Sequence, residues 1–386
     1  MKTQKALLVL VSLALCLSLL VPVGSAGWGT QKLDAVYRDI KIFMFGEEIV
    51  PKDASGKVVE PFIIDGTTYL PVRAIGEIYG LDVSWDSETS TIHITEPDLS
   101  EEHPHIPPEP SKKVVVSNAE ELVKAIAPDT SITLLAGRYD VSAAAGTENV
   151  YVFWKEDFYG NKEKTLVISE LEGLTLQAAP GAAVEIVTPW RFAEVLEFRN
   201  CNGIKLAGIK AGHTVVGYYE CDAGVLCFRD SYNISLEKCL LYGSGTIGIE
   251  LNGCVSAQIS DTTVTDCSRC AVEVTYSDDV TFNKCEFVDN RAYDDVINGY
   301  ESSAEFFDCV VSGNKSIEYG RVVAFGNALF ERCVFRDNAH VHEYVDGSGP
   351  VLSGQSLKLR DCEIEKGNFS DYWGEGVIDL GGNKLT

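Results

Sequence analysis

Glu250 and Glu273 are the residues whose type and spacing point most directly to chemistry. They stand 23 residues apart, each at the centre of an apolar–Glu–apolar triplet, Ile249-Glu-Leu251 and Val272-Glu-Val274. In a strand the two apolar neighbours face one way and the glutamate the other. If the interval is one turn of a stacked structure, the two carboxylates meet on adjacent strands about 5 Å apart, the separation that retaining glycoside hydrolases use. Two carboxylates that close push one pKa upward, as a general acid requires. The same pair also reads as two exposed glutamates on a solvated wall, compensated by Arg269 or Arg291.

The interval is indeed periodic. Between Asn200 and Cys362 one short pattern returns: Ile234-Ser-Leu236 with Cys239, Ala257-Gln-Ile259 with Thr262, Val280-Thr-Phe282 with Cys285, Ala304-Glu-Phe306 with Cys309, Ala328-Leu-Phe330 with Cys333, and Leu357-Lys-Leu359 with Cys362. From Leu236 the steps are 23, 23, 24, 24 and 29 residues. Each period holds three short alternating strands, and no such coil buries its inward face alone. Stacked coils pair like strand with like strand, which predicts a mainly β chain built as a parallel β-helix. Extended back through Ile204/Leu206, Leu174/Leu176 and Ile132/Leu134, the ladder has about nine coils.

Longer steps place loops in the turn before the Glu250-type strand: Gly212 to Ala223, Asn290 to Asp295, Asn314 to Arg321 and Asp337 to Pro350. Outward positions of that wall read Val167, Glu197, Cys227, Glu250, Glu273 and Arg321. His213 reads first as a histidine that orders its own loop, and also as a candidate base. Tyr218, Tyr219, Glu220 and Asp222 follow it, and a late loop adds His340, His342, Glu343, Tyr344 and Asp346. Aromatic faces suit sugar rings, and carboxylates suit their hydroxyls. Asp289, Asp294 and Asp295 could supply calcium ligands, the one cofactor considered, or form ordinary surface turns. Asn290, Asn314 and Asn338 recur at one turn as a structural ladder.

Lys2 and Lys5, the apolar run Ala6 to Val23 and Gly24-Ser25-Ala26 have the three parts of a secretory signal, with cleavage after Ala26. An uncleaved anchor is the alternative reading of the same run. After cleavage no transmembrane segment is expected, and the protein is expected to be secreted or envelope-associated, and monomeric. A net charge of −25 excludes a basic nucleic-acid surface. Cys239, Cys285, Cys309, Cys333 and Cys362 share one column, so they are read as inward thiols rather than disulfides. Cys221 with Cys227 is the one candidate loop disulfide, and Cys267-x-x-Cys270 reads as a turn without partners for zinc.

Ahead of the coils, Ile40 to Phe45 and Ile49-Val50 form one strand pair. Phe62 to Leu70 forms a hairpin around Asp65-Gly66, Pro71 opens a helix that Gly80 stops, and Leu81 to Ile94 forms a last pair. The run Pro61-Phe-Ile-Ile-Asp-Gly-Thr-Thr-Tyr-Leu-Pro-Val-Arg-Ala-Ile-Gly-Glu-Ile-Tyr-Gly-Leu, with Val83-Ser-Trp-Asp and Thr91-Ile-His-Ile, resembles the copper amine oxidase-like N-terminal, or stalk, domain over residues 38–95. The resemblance implies an accessory module of exported, often cell-envelope, proteins of Gram-positive bacteria. It implies no copper here, because His93 is the unit's only histidine.

Residues 96–113, rich in proline and glutamate, form an extended linker, and its His103 and His105 are read as solvated. Asn118 caps a helix to Ile126 that closes the open end of the coils. That helix, followed by a strand and Gly137-Arg-Tyr139, looks like the start of pectate-lyase-like right-handed β-helices, and the resemblance covers residues 114–386. It implies a fold that carries lyases, hydrolases, epimerases and binding proteins alike. The polygalacturonase-like aspartate set and the pectate-lyase-like calcium cluster are not found. The expectation is a wall that binds, and cleaves or modifies, polysaccharide or cell-wall glycan; the alternative is a non-catalytic adhesion or structural protein.

Overall fold

The computed structural model describes residues 32, 34–38, 40–44, 47–49, 51, 57–72, 82–86, 89–95, 106–157, 160–215, 223–243, 246–317, 321–341 and 349–386. The signal segment, the helix after Val72, His103, His105, Tyr218, Tyr219, Glu220, Cys221, Asp222 and the late loop from His342 to Asp346 lie outside the described residues. No helix among the described residues is long and apolar enough to cross a membrane.

The chain divides into Met1–Glu101 and Glu102–Thr386. In the first unit the three expected antiparallel pairs are present: Ile42–Met44 with Glu47–Ile49, Phe62–Ile64 with Thr67–Tyr69, and Asp82–Asp86 with Thr91–Thr95. Asp65 and Gly66 take φ of 50° and 81°, which is what a two-residue hairpin turn requires.

The second unit is a parallel β-helix of three walls. Wall A holds Lys164–Ser169, Leu196–Arg199, Leu226–Arg229, Ile247–Asn252, Cys270–Thr275 and the first halves of Ile297–Phe307, Val323–Glu331 and Leu352–Arg360. Wall B begins with Lys112–Val116 and Thr130–Leu134, and wall C is a ten-strand sheet from Gly137–Asp140 to Lys384–Leu385. Inward residues at alternate positions stack coil on coil, so one contiguous core runs the length of the solenoid. Phe306 is fully buried between Phe282 and Phe330, its ring stacked at 4.7 and 4.3 Å from theirs.

From Leu176 to Leu359 the expected register holds at every step. It fails by two residues at the start, where Leu176 pairs with Ile132 rather than Leu134. The reason lies in the insertion between these strands, which carries an antiparallel strand, Val152–Glu156, against Lys164–Ser169. A two-residue slip keeps every side chain on its own face, so the core pattern alone does not expose it.

Left-handed residues turn the corners, and small or polar residues follow them inward. Asn118 accepts from Glu121 N at 2.9 Å and caps Ala119–Ala125 as expected. The asparagine ladder is also present, with Asn290 Nδ2 and Asn314 Nδ2 donating to the next asparagine's Oδ1 at 3.0 and 2.9 Å. The ten cysteines of the described residues are free and buried, Cys227, Cys267 and Cys270 included. Burial raises the Cys201 thiol to about 11 and Cys254 to about 12.

Candidate functional site

The outward column of wall A runs Val167, Glu197, Cys227, Glu250, Glu273, Asn298, Ala324 and Ser353. Glu250 and Glu273 are direct partners in adjacent strands, as their spacing requires, and each side chain is 13% exposed. Arg321 is not in the column; Ala324 takes that position. Val322 and Val323 are both fully buried, so alternation there has two possible phases. Arg321 lies at the coil's entry and donates to Asp295 through Nε and Nη2, at 2.9 and 2.8 Å.

A second outward column lies two residues further along the same strands: Ser169, Arg199, Arg229, Asn252, Thr275 and Tyr300. It supplies the counter-charges. Arg229 binds Glu250 at 2.8 Å and approaches Glu197 at 3.5 Å. Arg269 lies 3.4 Å from Glu273 but is held closer by Asp294, at 2.6 Å. Burial raises the Glu273 pKa, Arg269 opposes it, and the neighbouring Glu250 adds to the rise. Asn298 Nδ2 donates to Glu273 at 3.5 Å.

Outward does not mean exposed here. Glu197 and Cys227 are fully buried, because Glu197 draws Lys155, Arg199 and Arg229 over this part of the wall. Burial alone would raise the Glu197 pKa; Lys155 and Arg199 overcome it and hold the carboxyl below its ordinary value. Glu194, in the corner before the same strand, accepts from Gly224 N. Its burial, with Glu250 and Glu197 nearby, lifts its pKa to about 8 against the pull of Lys155. At neutral pH Glu194 therefore stands as a carboxylic acid beside the ionised Glu197, the division of states that acid–base chemistry uses.

His213 ends the wall C strand Lys210–His213 and is buried. Its Nε2 meets Ala193 O at 3.0 Å, which fixes that nitrogen as the donor, while Nδ1 has no partner. Burial lowers its pKa, so the ring is neutral. The structure thus brings Glu250 and Glu273 together, sets His213 behind the residue that precedes Glu194, and ties Arg321 to Asp295. Asp294 is likewise committed to Arg269, and among the described residues no three acidic, histidine or cysteine side chains gather as a metal site. His340 is buried on wall C's neighbouring sheet.

Sequence reasoning missed Glu194, Lys155 and Arg229. Arg199 and Arg229, each following Phe at an interval of 30, were a readable signal. Glu194 sits in a corner and Lys155 in an insertion, where no alternation marks a residue's direction.

Residues 219–385 match the family described as Right handed beta helix region, and residues 53–156 match Copper amine oxidase N-terminal domain. The second match runs past residue 95 through the linker into the first coils. No curated protein matches the sequence. Similar solved structures include pectate lyase Pel9A, at 9% identity and TM-score 0.46 over 72% of this chain and 80% of that one. The pectin methylesterase from Aspergillus niger matches at 11% and 0.41, over 73% and 87%. The alginate lyase from Paenibacillus sp. str. FPU-7 matches at 9% and 0.37, over 71% and 97%. The chain therefore joins a copper amine oxidase-like N-terminal domain to a right-handed parallel β-helix.

Proposed function

We propose that wall A is a polysaccharide site and that the protein is exported to act on or bind a glycan outside the cell or at its envelope. One observation carries the reading: Glu250 and Glu273 are in-register neighbours, half-sunk in one wall, in different electrostatic surroundings. Adjacent parallel strands set them about 5 Å apart, a spacing suited to a double displacement at a glycosidic carbon. Glu273, its pKa raised and its arginine shared with Asp294, is the proton donor to the leaving oxygen. Glu250, bound by Arg229, is the carboxylate that attacks or stabilises the opposite face of the sugar. His213 acts behind them, its Nε2–H fixing the Ala193 carbonyl beside Glu194. Tyr218, Tyr219, Glu220 and Asp222, in the segment between His213 and Gly224, are assigned to substrate binding by sequence position alone.

A second reading is favoured by the ion pairs themselves. Arg229 and Arg269 neutralise the two glutamates as a binding wall without turnover would need. Incubation of the exported protein with envelope and plant polysaccharides separates the readings. New reducing ends support hydrolysis, ultraviolet-absorbing unsaturated ends support elimination, and saturable binding with neither product supports the second reading. No product and no binding on any polysaccharide would refute the proposal.

A further inference from the structure

We propose that Tyr276 and Tyr300 form a subsite for an uncharged pyranose ring at the edge of the glutamate wall, an inference that rests on the polysaccharide reading. Tyr300 is two residues beyond Asn298, on the same outward face, and Asn298 is the register partner of Glu273. Two residues of strand place it about 7 Å along the chain from that position. Tyr276 follows Thr275, and its N–H donates to Tyr300 O at 3.1 Å. Both residues are more than half exposed, at 57% and 54%. Their rings meet at 5.8 Å and 86°, forming a corner in which one ring offers a face and the other an edge.

Two features of the backbone mark the place as built for these rings. Tyr276 occupies a corner position with φ of 51°, where the other coils place Glu170, Asn200, Asp230, Gly253 and Glu301. That region of backbone suits Asn, Asp or Gly, and a bulky residue there is uncommon. In the next coil the register jumps: Tyr300, Glu301 and Ser302 face Gly326 alone between the pairs Gly299–Phe325 and Ser303–Asn327. A bulge of this kind re-aims a side chain. Gly326 puts no side chain opposite these three residues, and a Cβ added there would meet only Gly299 O at 3.8 Å and Glu301 N at 3.9 Å.

The charge of the ligand follows from the cations. Lys155, Arg199, Arg229, Arg269 and Arg321 are each bound to a carboxylate of the protein. A uronate chain would have to displace one of these partners and approach a molecule of net charge −25. An uncharged ring loses nothing by either, and its C–H face stacks on an aromatic plane.

Titration calorimetry with the full chain and cello-, xylo-, manno- and N-acetylchito-hexaose, against oligogalacturonate and oligomannuronate of equal length, tests the inference. At least one neutral hexaose should bind, and Tyr276→Ala and Tyr300→Ala should each weaken it by about tenfold or more. Gly326→Leu, which adds a side chain opposite the bulge and leaves both tyrosines in place, should weaken it also, with an unchanged melting temperature as the check on folding. The inference is overturned if no neutral hexaose binds, if a uronate binds more tightly than all of them, or if both tyrosine variants bind as the parent does. Activity lost in Glu250→Gln alongside unaffected tyrosine variants would remove this subsite and leave the catalytic reading. Tyrosine-dependent binding with no product from any substrate would do the reverse.

Discussion

Glu194 is the residue of the wall most exposed to a change of pH, because its carboxyl has no cation of its own. Its ordinary value is 4.5 and its folded value about 8, so between these the native state holds a proton that the unfolded chain has released. Its contribution to stability is complete below about pH 4.5 and is lost as pH rises through 8, at about 1.4 kcal/mol per pH unit for a single proton. Glu194→Gln should therefore flatten the decline of unfolding free energy between pH 5 and 8 by about one proton, measured by denaturant titration across that range. An unchanged slope would mean that Glu194 is ionised in the folded protein. Nothing in the sequence announced this residue. Glu250 and Glu273 were legible because apolar neighbours on both sides fixed their direction, whereas Glu194 lies in a corner and gains its character from burial and from Glu250 and Glu197 nearby.

At the scale of the strand, the coil register was readable wherever consecutive coils have nearly equal lengths. Phe282, Phe306 and Phe330 illustrate it: steps of 24 residues predicted a stack, and the rings are parallel and in contact. Phe306→Ala should cost about 3–5 kcal/mol through the cavity left between two rings. Phe307→Ala, on the half-buried face one residue on, should cost much less, and chemical denaturation of both variants measures the difference. Where length varies, alternation loses its grip. The 44-residue step from Ile132 to Leu176 hides a two-residue slip, and the buried doublet Val322–Val323 misplaced Arg321. The cysteine column was read correctly as inward thiols, and a consequence can be measured. Native protein should resist alkylation at these cysteines, because all of them are buried and burial holds the Cys239 thiol above its ordinary range. Denatured, unreduced protein should expose them all; a deficit of six or more thiols relative to the reduced sample would contradict the free ladder.

For the solenoid as a whole, one wall differs from the other two: among the described residues it alone gathers buried carboxylates, their arginines and an exposed aromatic pair along one face. On the proposed reading, net negative charge and committed cations favour an uncharged polymer there, and the bulge opposite Gly326 marks where the aromatic end of the wall begins. The most direct measurement is turnover by Glu250→Gln and Glu273→Gln beside the parent chain, on whichever polysaccharide the parent cleaves, with glycan affinity measured in parallel. The account predicts that each variant keeps its melting temperature and binds the glycan nearly as the parent does, while turnover falls by about a thousandfold or more. Parent-like turnover in both variants would contradict it, and would move the chemistry off this wall.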